Sequence, residues 1–180
     1  MEAIECIKTR RSIRKFEDKK VPHDVIEDII NTAVYAPSWK NTQVVRYIAV
    51  EDPKILSGIS QDCVLDFKGN ASIIGNCKML IAVTVKHGIS GFEKSGEATT
   101  SKDDRWESFD AGIAAQTLCL AAHAKGLGTV IMGIFDDAKV AEKIDVPEGQ
   151  IVTALIAIGY PAIDPKGPAR KTADDVLSWR

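Results

Sequence analysis

Hydrophobic residues between positions 25 and 34 recur every three or four places: Val25, Ile26, Ile29, Ile30, Ala33 and Val34. One apolar stripe at that period predicts an amphipathic helix opened by Val21-Pro22 and stopped by Tyr35-Ala36-Pro37, since a residue before proline leaves the helical region. A shorter helix is expected over 2–9, with Ile4 and Ile7 facing inward. Val44 to Val50 reads as a strand, and Asp52-Pro53 as the cap and first turn of a short helix to Ser60. Residues 61–77 carry no clear period. Lys78 to Val85 is an apolar, β-branched run between polar flanks, which predicts a buried strand. From Lys86 to Asp104 there is no period at all, and a loop of that length in a compact domain is usually functional. The longest helix is expected over Arg105 to Lys125. It is apolar on nearly every side, so it should be buried on several faces or covered by a second subunit. Strands at Thr129–Ile134 and Ile151–Ile158 flank a helix over Asp136–Ile144, and a last helical turn starts at Thr172.

Helices and strands intermix along one uninterrupted stretch, without repeats or a linker, so residues 1–180 are expected to form a single domain. Hydrophobic residues make up 45% and charged residues 27% of the chain, the balance of an ordinary globular protein. A net charge of −2 gives no bulk attraction to nucleic acid or to an acidic membrane. The longest apolar runs are too short to span a bilayer as helices. Cys6, Cys63, Cys77 and Cys119 show no metal-ligand spacing and sit among apolar neighbours. With an acidic amino terminus lacking an apolar signal core, they point to a reduced, cytoplasmic setting.

Side-chain catalysts are scarce. The chain contains no P-loop, no G-x-S-x-G and no H-E-x-x-H, and His23, His87 and His123 have no carboxylate or cysteine at ligand spacing. An enzymatic role would therefore need a cofactor to bring the reactivity. Gly126-Leu127-Gly128 runs from helix into strand, the reverse of a dinucleotide fingerprint, and reads as a helix cap. Gly133, placed inside the strand 129–134, would mark either close backbone approach by a ligand or a packing glycine. The cluster Arg10-Arg11-Ser12-Ile13-Arg14-Lys15 is either a solvated basic edge or an anion site, because guanidinium forks suit phosphate oxygens.

Four blocks tip that balance. Arg10-Arg11-Ser12-Ile13-Arg14 resembles the R-R-S-x-R opening of nitroreductase-like flavoproteins. Ala36-Pro37-Ser38-Trp39-Lys40-Asn41-Thr42-Gln43 is similar to their A-P-S-x-x-N-x-Q loop, and Ala121 to Gly128 to their A-A-x-x-x-G-L-G helix end. Ile156 to Pro161 resembles their closing strand ending in G-Y-P, with Arg170-Lys171 near their carboxy-terminal basic site. Gln43-Val44-Val45 departs from the Gln-Pro-Trp found in many members.

The resemblance implies an α+β fold: a three-layer α-β-α sandwich with a mixed sheet of four to five strands, in an interlocked homodimer with FMN at the subunit interface. Carried over residue by residue, Arg10 and Ser12 would hold the FMN phosphate with Arg170, and Arg14 would reach the phosphate or the pyrimidine edge. Pro37, Ser38, Trp39 and Asn41 would line the ring from the second subunit. The backbone of Met132 and Gly133 would face flavin N5, and Asn70 is matched to a flavin-contacting asparagine. The implied activity is transfer of hydride from NADH or NADPH to a small nitroaromatic or quinone-like acceptor. The alternatives are a specialised flavin reaction, such as dehalogenation or flavin fragmentation, and a non-catalytic flavin carrier.

Overall fold

The computed structural model describes residues 1–180. A four-stranded sheet is the middle layer, formed by β1 (Val45–Val50), β2 (Met79–Lys86), β3 (Gly128–Met132) and β4 (Gln150–Gly159) in the order β1-β2-β4-β3. The helices are α1 (Ala3–Thr9), α2 (His23–Ala33), α3 (Pro53–Asp62), α4 (Lys68–Asn76), α5 (Arg105–Ala124), α6 (Asp137–Lys143) and α7 (Ala173–Val176). No helix is long and apolar enough to cross a membrane.

Strand alternation makes the three layers. Met79, Ile81, Val83 and Val85 of β2 and Ile156 and Ile158 of β4 pack with Ile26, Ile29 and Ala33 of α2 and with Ala115, Leu118 and Ala122 of α5. The intervening Leu80, Ala82, Leu155 and Ala157 pack on the other side with Leu56 and Ile59 of α3, Ile73 and Ile74 of α4 and Val140 of α6. Each central strand is thus apolar on both faces, which is why β2 reads as an unbroken hydrophobic run.

The expected sandwich is present, but its sheet is not mixed among the four strands: every pairing is antiparallel. The α5 crossover returns β3 one position away from β2, and β4 fills the gap antiparallel to both. Parallel pairing is confined to a single bridge between Ser12 and Thr129 at the β3 edge. One other expectation is corrected. Ile4 and Ile7 of α1 are exposed and only Cys6 is buried, its thiol donating to the Leu120 carbonyl of α5. The unread segment 61–77 contains α4.

Two caps behave as their residues dictate. Asp52 accepts from the Lys54 and Ile55 amides at the start of α3, and Asp136 from Lys139 at the start of α6. At the end of α5, Gly126 takes φ +78°, its amide donates to the His123 carbonyl, and the Leu127 amide donates to the Ala122 carbonyl. That is the two-bond glycine stop the G-L-G sequence predicts.

Candidate functional site

The arginine cluster is held against the edge of β3 and the end of β4. Arg10 closes α1 with its amide on the Cys6 carbonyl, Ile13 donates to the Thr129 carbonyl at 2.9 Å, and Glu17 donates to the Tyr160 carbonyl at 2.9 Å. Gly128 permits this approach: a Cβ there would lie 2.6 Å from Ile13 Cγ1. A cavity of about 480 Å³ opens at this corner, lined among others by Arg10, Arg11, His123, Gly128, Pro161 and Asp164.

The basic residues differ in what they have left to offer. Arg11 Nη1 donates to the carbonyls of Lys8 (2.7 Å) and Arg10 (2.8 Å), which ties that end of the guanidinium to local backbone. Arg14 is exposed, with one long bond of 3.4 Å to the Ser12 carbonyl. Arg10 is half-buried and its Nε is inaccessible to solvent with no acceptor. A buried cationic donor without an acceptor is costly, and an anion at this corner would satisfy it. The carboxy-terminal tail returns here at Gly167, which lies against the Arg11 guanidinium. Arg170 is exposed and makes no hydrogen bond within the chain.

At the other end of β3, about 15 Å away for a five-residue strand, the chain leaves the sheet at Met132. Gly133 therefore lies beyond the strand, not inside it, and nothing lies within 4 Å of where its Cβ would stand. Within the chain nothing packs against Gly133, so no intramolecular contact requires glycine there. Asn70, buried at 6% exposure on α4, donates from Nδ2 to the Ile134 carbonyl at 2.9 Å, so the structure brings Asn70 to the Met132–Gly133 stretch. Arg10, Ser12, Met132, Gly133 and Asn70 thus lie along one strand.

The loop carrying Pro37, Ser38, Trp39 and Asn41 is elsewhere. It packs on the amino-terminal half of α5 at Asp110, whereas Arg10 lies near its carboxy-terminal end at His123. Thirteen residues of helix separate them, roughly 20 Å. The loop is therefore remote from the Arg10 corner of its own chain. The loop is strained: Lys40, Asn41 and Gln43 have φ of 44°, 55° and 48°, a region costing roughly 1 kcal/mol or more per non-glycine residue. It is closed by the Gln43 amide on Ser38 Oγ at 2.9 Å and by Trp39 packed 4.6 Å from Trp106, centroid to centroid.

Two residues missed in the sequence hold this loop and the 86–90 turn to α5. Glu107 and Asp110, both buried on α5, sit one turn apart. Glu107 accepts from the Gly88 amide (2.6 Å) and pairs with His87 Nδ1 (3.0 Å). Asp110 accepts from the Trp39 amide on both oxygens and from Ser90 Oγ at 2.7 Å. Across the gap, Lys40 Nζ meets Glu93 at 3.0 Å. The Thr99 hydroxyl, and then Lys40, hold that carboxyl below its ordinary range. Their only signal was two carboxylates three apart at the start of an otherwise apolar helix.

The family model described as "Nitroreductase family" matches residues 7–160. A protein of Methanothermobacter thermautotrophicus named putative NADH dehydrogenase/NAD(P)H nitroreductase is 30% identical, over 92% of this chain and 80% of its own. Among solved structures, a nitroreductase family protein of Clostridium novyi NT is 30% identical with a TM-score of 0.78, over 93% and 89% of the two chains. One described as an FMN-dependent nitroreductase from Clostridium difficile is 28% identical with a TM-score of 0.75, over 98% of each.

Proposed function

The chain belongs to the nitroreductase family, and from that premise we propose that this oxidoreductase uses FMN to pass hydride from NADH or NADPH to small nitroaromatic or quinone-like acceptors. The observation that carries the reading is that Arg10, which lines a cavity of about 480 Å³, has a buried Nε without an acceptor. A phosphate monoester is the ligand such a donor suits. Relatives named NAD(P)H nitroreductase and, in Vibrio harveyi, NADPH-flavin oxidoreductase support the choice of reductant and cofactor.

The residues present fit FMN. Arg10 and Ser12 would hold the phosphate, joined by Arg170 as the tail settles on Arg11. The ring would extend along β3 toward the open Met132–Gly133 peptide, whose position Asn70 fixes. Arg14, exposed and weakly bonded, is free to set a positive charge against the ring edge, where it would favour the reduced cofactor. Bound FMN would supply the two-electron chemistry that no side chain here provides.

Pro37, Ser38, Trp39 and Asn41 would complete the site from a second copy of the chain. The exposure of the apolar side chains Ile4, Ile7, Val34, Tyr35 and Phe109 in the isolated chain supports that assignment, because such groups suit burial against a partner.

The deciding experiment is an absorbance spectrum of the purified protein with and without added FMN, followed by anaerobic titration with NADH and NADPH. Flavin absorbance that bleaches with either nucleotide and returns with a nitroaromatic or quinone supports the reading. A protein that stays colourless after FMN is added sinks it. Bound flavin that only dithionite reduces would turn the reading toward a carrier.

A further inference from the structure

The buried carboxylate of Asp110 has no part in the chemistry above, yet it is placed where it can control the cofactor site. We propose that Asp110 is a positioning residue: it holds the 37–43 loop in its strained, ligand-ready shape and locks that loop to the 86–90 turn. The inference rests on the flavin reading, since the loop matters to function only if it lines the cofactor.

Lys40, Asn41 and Gln43 all occupy the left-handed region, and only asparagine tolerates it readily. Three such residues within four positions do not stay there unless their surroundings over-determine them. The loop's internal bond, Gln43 amide to Ser38 Oγ, closes the turn but does not attach it to the body of the protein. The ion pair Lys40–Glu93 is half-exposed and weak. The buried polar attachment is the Trp39 amide on Asp110, at 3.0 and 3.1 Å to the two oxygens.

Asp110 suits the task as a carboxylate. It is 2% exposed and rests on α5, an element packed against both β2 and β4. All its partners are donors, and an ionised carboxylate is an acceptor on both oxygens. The same Oδ2 also receives Ser90 Oγ–H at 2.7 Å, with Ser90 itself fully buried. One turn earlier, Glu107 holds the Gly88 amide and His87 in the same manner. One helix face therefore fixes two loops that are 50 residues apart in sequence, so a shift in either is felt by the other through one side chain.

The test compares Asp110→Asn, which keeps the shape but sets an amide against donors, with Ser90→Ala and with Leu56→Ala, a core truncation on α3 in the other layer. FMN affinity is measured by fluorescence quenching well below each variant's melting temperature. Asp110→Asn should weaken FMN binding by roughly ten- to a hundredfold, the loss of a charged hydrogen bond. Ser90→Ala should weaken it several-fold less. Leu56→Ala should lower Tm and leave affinity unchanged. Affinity that merely follows Tm across all three variants overturns the proposal, as does unchanged affinity in Asp110→Asn.

Amide hydrogen exchange on the wild type gives a reading that needs no variant to fold. FMN should slow exchange in the peptides covering Trp39 and Gly88–Ser90 together. Protection in neither, or in only one, overturns the coupling. A wild type that binds no FMN would fail the flavin reading instead, so the two failures are distinguishable.

Discussion

Asn70 and Ile134 are joined across 64 residues of sequence by one hydrogen bond, from the asparagine Nδ2 to the isoleucine carbonyl at 2.9 Å. The bond is buried on the Asn70 side and fixes the backbone immediately after Gly133, at the open end of β3. It makes Asn70 a brace for the peptide assigned to the flavin ring, whether or not its own amide touches the ring.

Replacing that amide should therefore affect fold and function together. Asn70→Ala leaves the Ile134 carbonyl without its donor and should cost about 1–3 kcal/mol of stability, measured by urea unfolding. Asn70→Asp should be worse, because a carboxylate facing a carbonyl has no proton to offer. We expect kcat to fall in both variants. Equal stability in wild type and Asn70→Asp would refute the brace.

Arg10 and Lys15 belong to the same charge run but not to the same environment. Arg10 lines the cavity with a buried, acceptor-less Nε, whereas Lys15 is exposed. Arg10→Ala should weaken FMN binding by about 1.5–3 kcal/mol, and Lys15→Ala should leave it within experimental error. Arg11→Ala should act chiefly on stability, because its Nη1 is held by the Lys8 and Arg10 carbonyls. Isothermal titration with FMN separates the three, and equal affinities for the Arg10 and Lys15 variants would contradict the assignment.

What the sequence disclosed follows from how local each signal was. The strands, α2, α5, the Asp52 and Asp136 caps and the Gly126 stop rest on period, proline and glycine within a few residues, and all were legible. Helix α4 was not: Phe67 gives it no side-chain cap, Gly69 and Gly75 weaken it, and Leu65 and Asp66 precede it at positive φ. Gly133 was misplaced because Ile131-Met132-Gly133-Ile134 looks continuous, while the sheet ends at Met132. Glu107 and Asp110 were invisible for a different reason. Their donors lie about 20 and 71 residues away, so two carboxylates near a helix start look like ordinary solvent-facing charge.

His123 gives the protein a pH signature. Thr9 Oγ1 donates to the Glu5 carbonyl at 2.7 Å and so must accept from His123 Nε2 at 2.9 Å. Burial, then the charges of Arg10 and Arg11, push the imidazole below its usual 6.5. Below about pH 6.5 the unfolded chain takes up a proton that the folded chain resists, so stability falls as pH drops from there through the lower folded pKa. Above that window the group contributes nothing. Tm of the cofactor-free protein should decline on acidification, and His123→Gln should remove part of that slope. An identical slope in the variant would exclude His123 as its source.

A site divided between two copies, as proposed, predicts a linked pair of observations. Light scattering with in-line absorbance should find flavin only in the dimeric fraction, and dilution that dissociates the dimer should release FMN. A monomer saturated with flavin would contradict the shared site.

Gly128 and Gly133 lie at opposite ends of the same strand and should respond oppositely to alanine. At Gly128 a Cβ would stand 2.6 Å from Ile13 Cγ1 and 2.7 Å from Ile13 Cβ. Ile13 is buried and β-branched, and the clash includes its own Cβ, so no rotamer change relieves it. The segment carrying Ser12 must move off the β3 edge, at a cost of typically about 1–3 kcal/mol. At Gly133 the same methyl meets nothing within 4 Å and should leave stability within about 0.5 kcal/mol. If the Met132–Gly133 peptide lies against the flavin, that harmless methyl enters the ligand's space. Gly133→Ala should then keep its Tm and lose FMN affinity or hydride transfer, while Gly128→Ala should lose Tm first. Unchanged flavin binding and turnover in Gly133→Ala would place the ring elsewhere than at the open end of β3.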